Sequence, residues 1–211
     1  MSGYKKYSIL FLDIRKFTLF FDQVYTSDPE QVARLLGDLW RLLEPIITGY
    51  SGKVHKTLGD GVMVLFKNSN EAFEAALKLM FEIAKIDEHL NLPTPADPQG
   101  WLGMPFQAGI GIEEGMVGVE TVKIQGREHE LIIGMPVIIA ARLADRAEPM
   151  KILIGEEAYR TISKNKKWDP SLFKRSHYKA KHKKEIVYWE FDTTPLVYND
   201  GRVLNKPKSL D

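Results

Sequence analysis

The strongest constraint on this chain is the order in which its apolar periodicity changes. Residues 7–12, whose apolar run Ile9–Leu12 is ended by Asp13, predict a buried strand. Asp28-Pro29-Glu30-Gln31 then supplies a helix start, with Asp at the cap, Pro at the first position and Gln able to reach back. Behind it Val32, Leu35, Leu36, Leu39, Trp40, Leu43, Ile46 and Ile47 recur at helical spacing, and Gly49 to Gly52 end the helix. Lys53–Leu58 and Val62–Phe66 read as two strands joined by the turn signal Gly59-Asp60-Gly61. Ser69 and Asn70 open a second helix, with Ala72, Ala76, Leu79, Met80 and Ile83 on one face and its end near Asn91. A Pro- and Gly-rich surface loop is expected over 91–105, followed by a strand from Phe106 to Ile112.

These six elements spell βαββαβ. The expected fold class is α+β, a ferredoxin-like arrangement with an antiparallel sheet and two helices on one face. Further on, a hairpin is expected over Met116–Glu120 and Thr121–Ile124, then a short strand Leu131–Ile133 and a helix Pro136–Ala147. A strand Lys151–Ile154, a short helix Glu156–Ser163 and a final strand Ile186–Phe191 complete the reading. Residues 7–192 are expected to form one domain, with tails at 1–6 and 193–211. The fold alone does not give a function, because unrelated activities share it.

Composition excludes several classes. At 44% hydrophobic and 27% charged residues the chain is too apolar to be disordered. Its 29 Lys and Arg against 28 Asp and Glu leave a net charge of +1, unlike a dedicated nucleic-acid coat. With no cysteine, a disulfide framework, a thiolate metal site and a cysteine nucleophile are all excluded. No apolar run approaches the ~18 residues of a membrane span, so a cytoplasmic protein without an anchor is expected.

The strand order carries the chemistry. In a βαββαβ sheet the first strand lies antiparallel to the third, so its C-terminal end meets the turn between strands two and three. Asp13 holds the first place and Asp60 the second. Taken singly, Asp60 is an ordinary turn residue and Asp13 a strand-ending cap. Together they are two carboxylates that repel unless a cation joins them, and a hard divalent ion suits oxygen ligands and nucleotide phosphates. The segment Ile14-Arg15-Lys16-Phe17-Thr18 turns into a helix start whose free N–H groups suit phosphate oxygens.

At these residues the chain resembles the class III nucleotidyl cyclases. Phe11-Leu12-Asp13-Ile14-Arg15-Lys16-Phe17-Thr18 is similar to their first metal motif and Lys56-Thr57-Leu58-Gly59-Asp60-Gly61 to their second. Gly109-Ile110-Gly111-Ile112 with Gly115 resembles their central hairpin, and residues 134–143 resemble the segment that carries their transition-state arginine. The resemblance implies a head-to-tail homodimer with composite active sites and a nucleoside triphosphate substrate. It implies two Mg²⁺ or Mn²⁺ ions held by Asp13, Asp60 and the backbone of Ile14. It also implies a nucleotide site that includes Phe17 and Thr18, and Arg142 from the partner chain as the catalytic arginine. Otherwise Arg142 is a surface helix residue in a weak ion pair.

Lys56 falls where adenylate cyclases of the family place a base-reading lysine; otherwise it is a solvated strand lysine. Two positions depart from the pattern. Leu131 stands where an Asp or Thr reads adenine, and Ile138 where an asparagine orients the ribose. A leucine accepts no hydrogen bond, and an unpartnered buried donor costs ~1–3 kcal/mol. Asp13, Asp60 and Arg142 all remain, so ring closure is expected to be intact while purine selection is not. This pattern resembles the compact cytosolic bacterial cyclases of Pycsar antiphage systems, which make cyclic UMP or cyclic CMP as a messenger for a separate effector. Apolar residues are expected to narrow the pocket around the smaller base. The alternatives are an adenylate cyclase that tolerates both substitutions, and a catalytically silent domain that binds a nucleotide or a partner. No Gly-Gly-Asp-Glu-Phe motif supports a diguanylate cyclase.

Residues 164–184 hold nine Lys or Arg and one acid, and most read as a solvated loop face. By the resemblance Lys181 is the lysine that touches the triphosphate. Tyr178 and Trp189 flank the lysines at 179, 181, 183 and 184, but no aromatic RNP-type motif accompanies them, so nucleic-acid binding is not expected.

Overall fold

The computed structural model describes residues 3–18, 29–85, 107–179, 185–199 and 202–203. Its first half has the expected order: β1 (Gly3–Ile14), α1 (Pro29–Gly49), β2 (Lys53–Leu58), β3 (Gly61–Phe66), α2 (Ser69–Ala84) and β4 (Ala108–Ile124). There follow β5 (Arg127–Ile133), α3 (Met135–Arg146), β6 (Lys151–Gly155), α4 (Glu156–Ile162), β7 (Phe173–Lys179) and β8 (Glu185–Asp192). The main sheet runs β2-β3-β1-β4-β6-β8-β7, with β5 paired to β4. Its first four positions are the ferredoxin-like core, and the others widen it beyond β4.

Strand alternation divides the sheet into two faces. Leu10, Leu12 and Ile14 of β1 join Val62, Val64, Ile110 and Ile112 in the core under α1 and α2. Ile9 packs on the other face with Met63, Leu65, Val117, Ile132 and Ala140, and Phe11 leans on the same cluster. Asp13 and Arg15 continue that second series. The alternation places them on the face that carries α3 and the β4–β5 arm. The β2 to β3 register slips between Val54 and Lys56, a bulge at His55.

Several sequence expectations are corrected. The predicted tail at 1–6 is partly strand, because β1 begins at Gly3 and pairs with β4 from there. Helix α2 is capped by Asn68, whose side chain accepts from the N–H groups of Asn70 and Glu71. Ser69 is instead buried, and its hydroxyl donates to Glu114 at 2.9 Å. The hairpin expected at Glu120-Thr121 is one continuous strand of 17 residues. Val119, Thr121 and Val122 favour extended backbone, so the chain reverses only at Gln125-Gly126, where φ is 50° and 80°. The basic segment taken for a loop contains β7. Its Tyr178 packs against the cluster of Leu143, Leu153 and Tyr188. Residues 194–197 form a short helix whose Val197 is buried, so the ordered domain runs past the predicted boundary at 192. The helix cap at Asp28, the end near Asn91, the loop 91–105 and Phe106 lie outside the described residues.

Two adjacent acids of β4 brace the helices. Glu114 meets Lys6 at 2.6 Å and accepts from Ser69 and Thr161, which ties α2 and α4 to the sheet. Glu113 accepts from its neighbour's N–H and from that of Ala158. Burial nevertheless raises its carboxyl from 4.5 to about 7. In the unfolded chain this group ionises near 4.5, so between 4.5 and about 7 the folded state holds the extra proton. Stability is therefore expected to fall as pH rises through that window, by on the order of 3 kcal/mol at most. Chemical denaturation of Glu113→Gln, which stays neutral, should give a flatter profile over the same range.

Candidate active site

The sheet register brings the two predicted acids together. Asp13 pairs with Gly61 across β1 and β3, next to Asp60 in the β2–β3 turn. Gly59 takes a φ of 71°, the left-handed conformation this tight turn needs. Asp13, Gly61, Leu58, Ala141, Ala144 and Asp145 line a cleft of about 220 Å³. Both carboxyls are pushed above the usual range, chiefly by burial. For Asp13 the Arg15 guanidinium opposes that rise, while Asp60 and Asp145 add to it. For Asp60 its backbone hydrogen bond and Arg15 oppose it. Two half-buried acids thus lie beside each other, Asp13 lining the cleft and Asp60 in the adjoining turn, and the Arg15 guanidinium acts on both.

That cation is a group that sequence reasoning did not single out. Arg15 Nη1 lies 3.0 Å from Asp13 Oδ2. Its Nη2 donates to the carbonyl of Ala144, and Nη1 reaches the carbonyl of Asp145 at 3.4 Å. The signal was available, since residues i and i+2 of a strand share a face. Gly109 makes the room, because a Cβ there would collide with the guanidinium.

Helix α3 starts after Gly134 with Pro136 in its first turn and carries Ile138 and Arg142 one turn apart on its exposed side. Its close seat on β4 depends on missing side chains. A Cβ at Gly111 would meet the backbone of Ala140 and Ala144, and one at Gly115 would meet Pro136. Arg142 lines neither the acid cleft nor the larger cavity described next; it lies on the side of α3 that faces Tyr178.

That larger cavity, about 650 Å³, lies between the β4–β5 arm and the sheet. It brings Lys56 and Leu131 together, along with Phe11, Met63 and Val137. Its polar lining includes Lys53 and Glu130, paired at 2.9 Å, and His55, whose pKa burial pushes down. Ile14 is buried at 2% exposure, so only its backbone could serve as a ligand. Phe17 leans on the main core and Thr18 is exposed where a helical turn begins. Lys181 lies outside the described residues. Tyr178 and Trp189 are engaged in packing, Trp189 stacked on Tyr159 at 4.1 Å.

Residues 1–191 match the profile of the adenylate and guanylate cyclase catalytic domain. The chain belongs to this family. An adenylate cyclase of Anabaena cylindrica is 29% identical over 188 residues, which cover 87% of this chain and 36% of that protein. The chain therefore spans about a third of that relative's length. Among solved structures, the guanylyl cyclase Cya2 superposes with a TM-score of 0.74 at 20% identity, covering 90% of this chain and 92% of that one. The adenylyl cyclase CyaB from P. aeruginosa gives 0.68 at 22% identity with both chains fully covered. At these identities the structures show a shared fold.

The donor set fits a divalent metal. Two carboxylates and a backbone oxygen are too few for an all-protein cage, and among the described residues no group of three or more His, Asp or Glu forms one. A Mg²⁺-type ion held by one or two carboxylates and completed by substrate phosphates needs no more. Among the described residues no helix is long and apolar enough to cross a membrane.

The packing of α3 on Gly111 gives a direct test. Gly111→Ala should push the helix off the sheet and lower unfolding free energy by about 1–3 kcal/mol in a denaturant titration. An unchanged midpoint would contradict the close seat of α3.

Proposed function

We propose that this chain is an active nucleotidyl cyclase that works as a homodimer with shared sites and prefers a pyrimidine triphosphate. The juxtaposition of Asp13, which lines the cleft, with Asp60 in the adjoining turn carries the enzymatic reading. Their carboxylates and the Ile14 carbonyl would hold two Mg²⁺ or Mn²⁺ ions. When bound, these ions lower the pKa of the ribose 3′-hydroxyl and neutralise the triphosphate. The helix start at Phe17-Thr18 offers backbone N–H groups to the phosphates, and Lys181 is proposed to reach the same group. The 3′-oxygen attacks the α-phosphorus and pyrophosphate leaves. Arg142 of a second copy stabilises the charge that builds on the phosphoryl oxygens.

The shared site is supported by the layout of one chain. Asp13 lines one cleft, with Asp60 in the turn beside it, Lys56 and Leu131 line another, and Arg142 lines neither. A head-to-tail pair would let the two copies complete each other's site.

Hydrogen bonding, rather than size, supports the pyrimidine preference. Leu131 lines the cavity but cannot accept from an exocyclic amino group, which adenine, guanine and cytosine carry and uracil lacks, and the nearby carboxylate of Glu130 is engaged by Lys53. Ile138, on the exposed side of α3, offers nothing to a ribose hydroxyl. The cyclic pyrimidine would act as a messenger for a separate effector in antiphage defence, with the enzyme in the cytoplasm. The relative from Anabaena cylindrica is an adenylate cyclase, which makes cyclic AMP the second reading.

Incubation with Mn²⁺ and each of ATP, GTP, CTP and UTP, with products identified by mass spectrometry, separates these readings. Cyclic UMP or cyclic CMP is expected as the main product. Cyclic AMP would replace the pyrimidine reading, and no product from any substrate would overturn the enzymatic one. Asp60→Ala and Arg142→Ala should each be inactive alone. Mixed and allowed to exchange, they should recover about a quarter of wild-type turnover, since half the dimers would then hold one complete site. No recovery would contradict the shared site.

A further inference from the structure

Arg15 occupies a place that ordinary surface pairing does not explain. Its side chain is only 16% exposed. Its Nε is buried and finds no acceptor among the described residues. Its Nη atoms divide between the Asp13 carboxylate and the carbonyls of Ala144 and Asp145 at the C-terminal turn of α3. The backbone N–H of Arg15 donates to Gln107 at 2.7 Å, and Gly109 leaves the guanidinium its room. The side chain thus spans from the acid at the end of β1 to the helix that carries Arg142.

Such a group has a consequence for any cation in the cleft. Arginine stays charged at all working pH values, so its charge cannot be relieved by losing a proton. A divalent ion arriving at Asp13 meets a fixed positive charge on the same carboxylate. The helix carbonyls offer that charge a second seat, because the C-terminal end of a helix carries partial negative charge. The guanidinium can therefore release Asp13 without being left unpaired.

We propose that Arg15 is an internal placeholder cation. It neutralises and orients Asp13 while the cleft lacks a divalent ion, and it yields that carboxylate to the ion by shifting toward the carbonyls of Ala144 and Asp145. It is a positioning residue that sets the affinity for the ion. The inference rests on the reading that Asp13 and Asp60 take divalent metal. Its functional consequence is weak metal binding by the nucleotide-free chain, so that the ion becomes firmly held only together with a triphosphate.

The test is direct Mn²⁺ binding without nucleotide, followed by the electron paramagnetic resonance signal of the free ion. Arg15→Gln should bind Mn²⁺ about tenfold more tightly than wild type, as expected for removing one positive charge about 6 Å from a divalent ion in a water-like medium. Arg15→Lys, which keeps the charge, should stay close to wild type. Asp13→Asn should bind least. Equal or weaker binding by Arg15→Gln, with Asp13→Asn still impaired, would overturn the placeholder role and leave the metal reading standing. Binding by Asp13→Asn equal to wild type would overturn the metal reading and the placeholder with it. Should Arg15→Gln not fold, the wild-type chain still decides. Its buried Arg15 Nε–H resonance should shift when diamagnetic Mg²⁺ is added, and a resonance that does not move would overturn the proposal.

Discussion

The antiparallel pairing of β1 with β3 is the constraint on which the rest of the site depends. It fixes Asp13 opposite Gly61 and so beside the turn that holds Asp60. Strand alternation then decides which face receives the acid. Leu10, Leu12 and Ile14 go under the two helices, while Ile9 goes to the face that carries α3. A slip of one residue in β1 would bury Asp13 among hydrocarbon and expose Leu12, which the core does not tolerate. The apolar core therefore sets the position of the charged residue beside it.

A second constraint lies in β4. Gly109, Gly111 and Gly115 leave one face of that strand without side chains where Arg15 and α3 lie against it. Ile110 and Ile112, between them, complete the core on the opposite face. The glycines thus answer a packing requirement, and the packing holds the segment that carries Ile138 and Arg142. Arg142 itself stays outside the cleft that Asp13 lines. On the proposed reading that separation makes a second copy part of the catalytic unit.

Much of this was legible in the sequence because it rests on periodicity and turn chemistry. The βαββαβ order, the Gly59-Asp60-Gly61 turn and the meeting of Asp13 with Asp60 followed from apolar spacing and strand order. What was missed has physical reasons. β7 is rich in charge because only Phe173 is fully buried, so its composition reads as a loop. The long β4 has no turn residue between Val119 and Gln125, but its tip is exposed and lacks an alternating pattern. Asn68 was passed over as a cap because the adjacent Ser69 is also a good cap residue, and only the buried Glu114 explains why Ser69 is used elsewhere. Arg15 lies in the segment just after Asp13, yet its contacts with Ala144 and Asp145 join positions far apart in the chain, which spacing cannot show. The larger cavity was equally out of reach, since it depends on how the β4–β5 arm lies against the sheet.

The central claim is that Asp13 and Asp60 together hold divalent metal against a nucleoside triphosphate. Anomalous diffraction from crystals grown with Mn²⁺ and a triphosphate analogue lacking the 3′-hydroxyl tests it most directly. Manganese peaks between the two carboxylates and the analogue's phosphates are the predicted result. Peaks elsewhere, or a triphosphate seated away from both acids, would contradict the account.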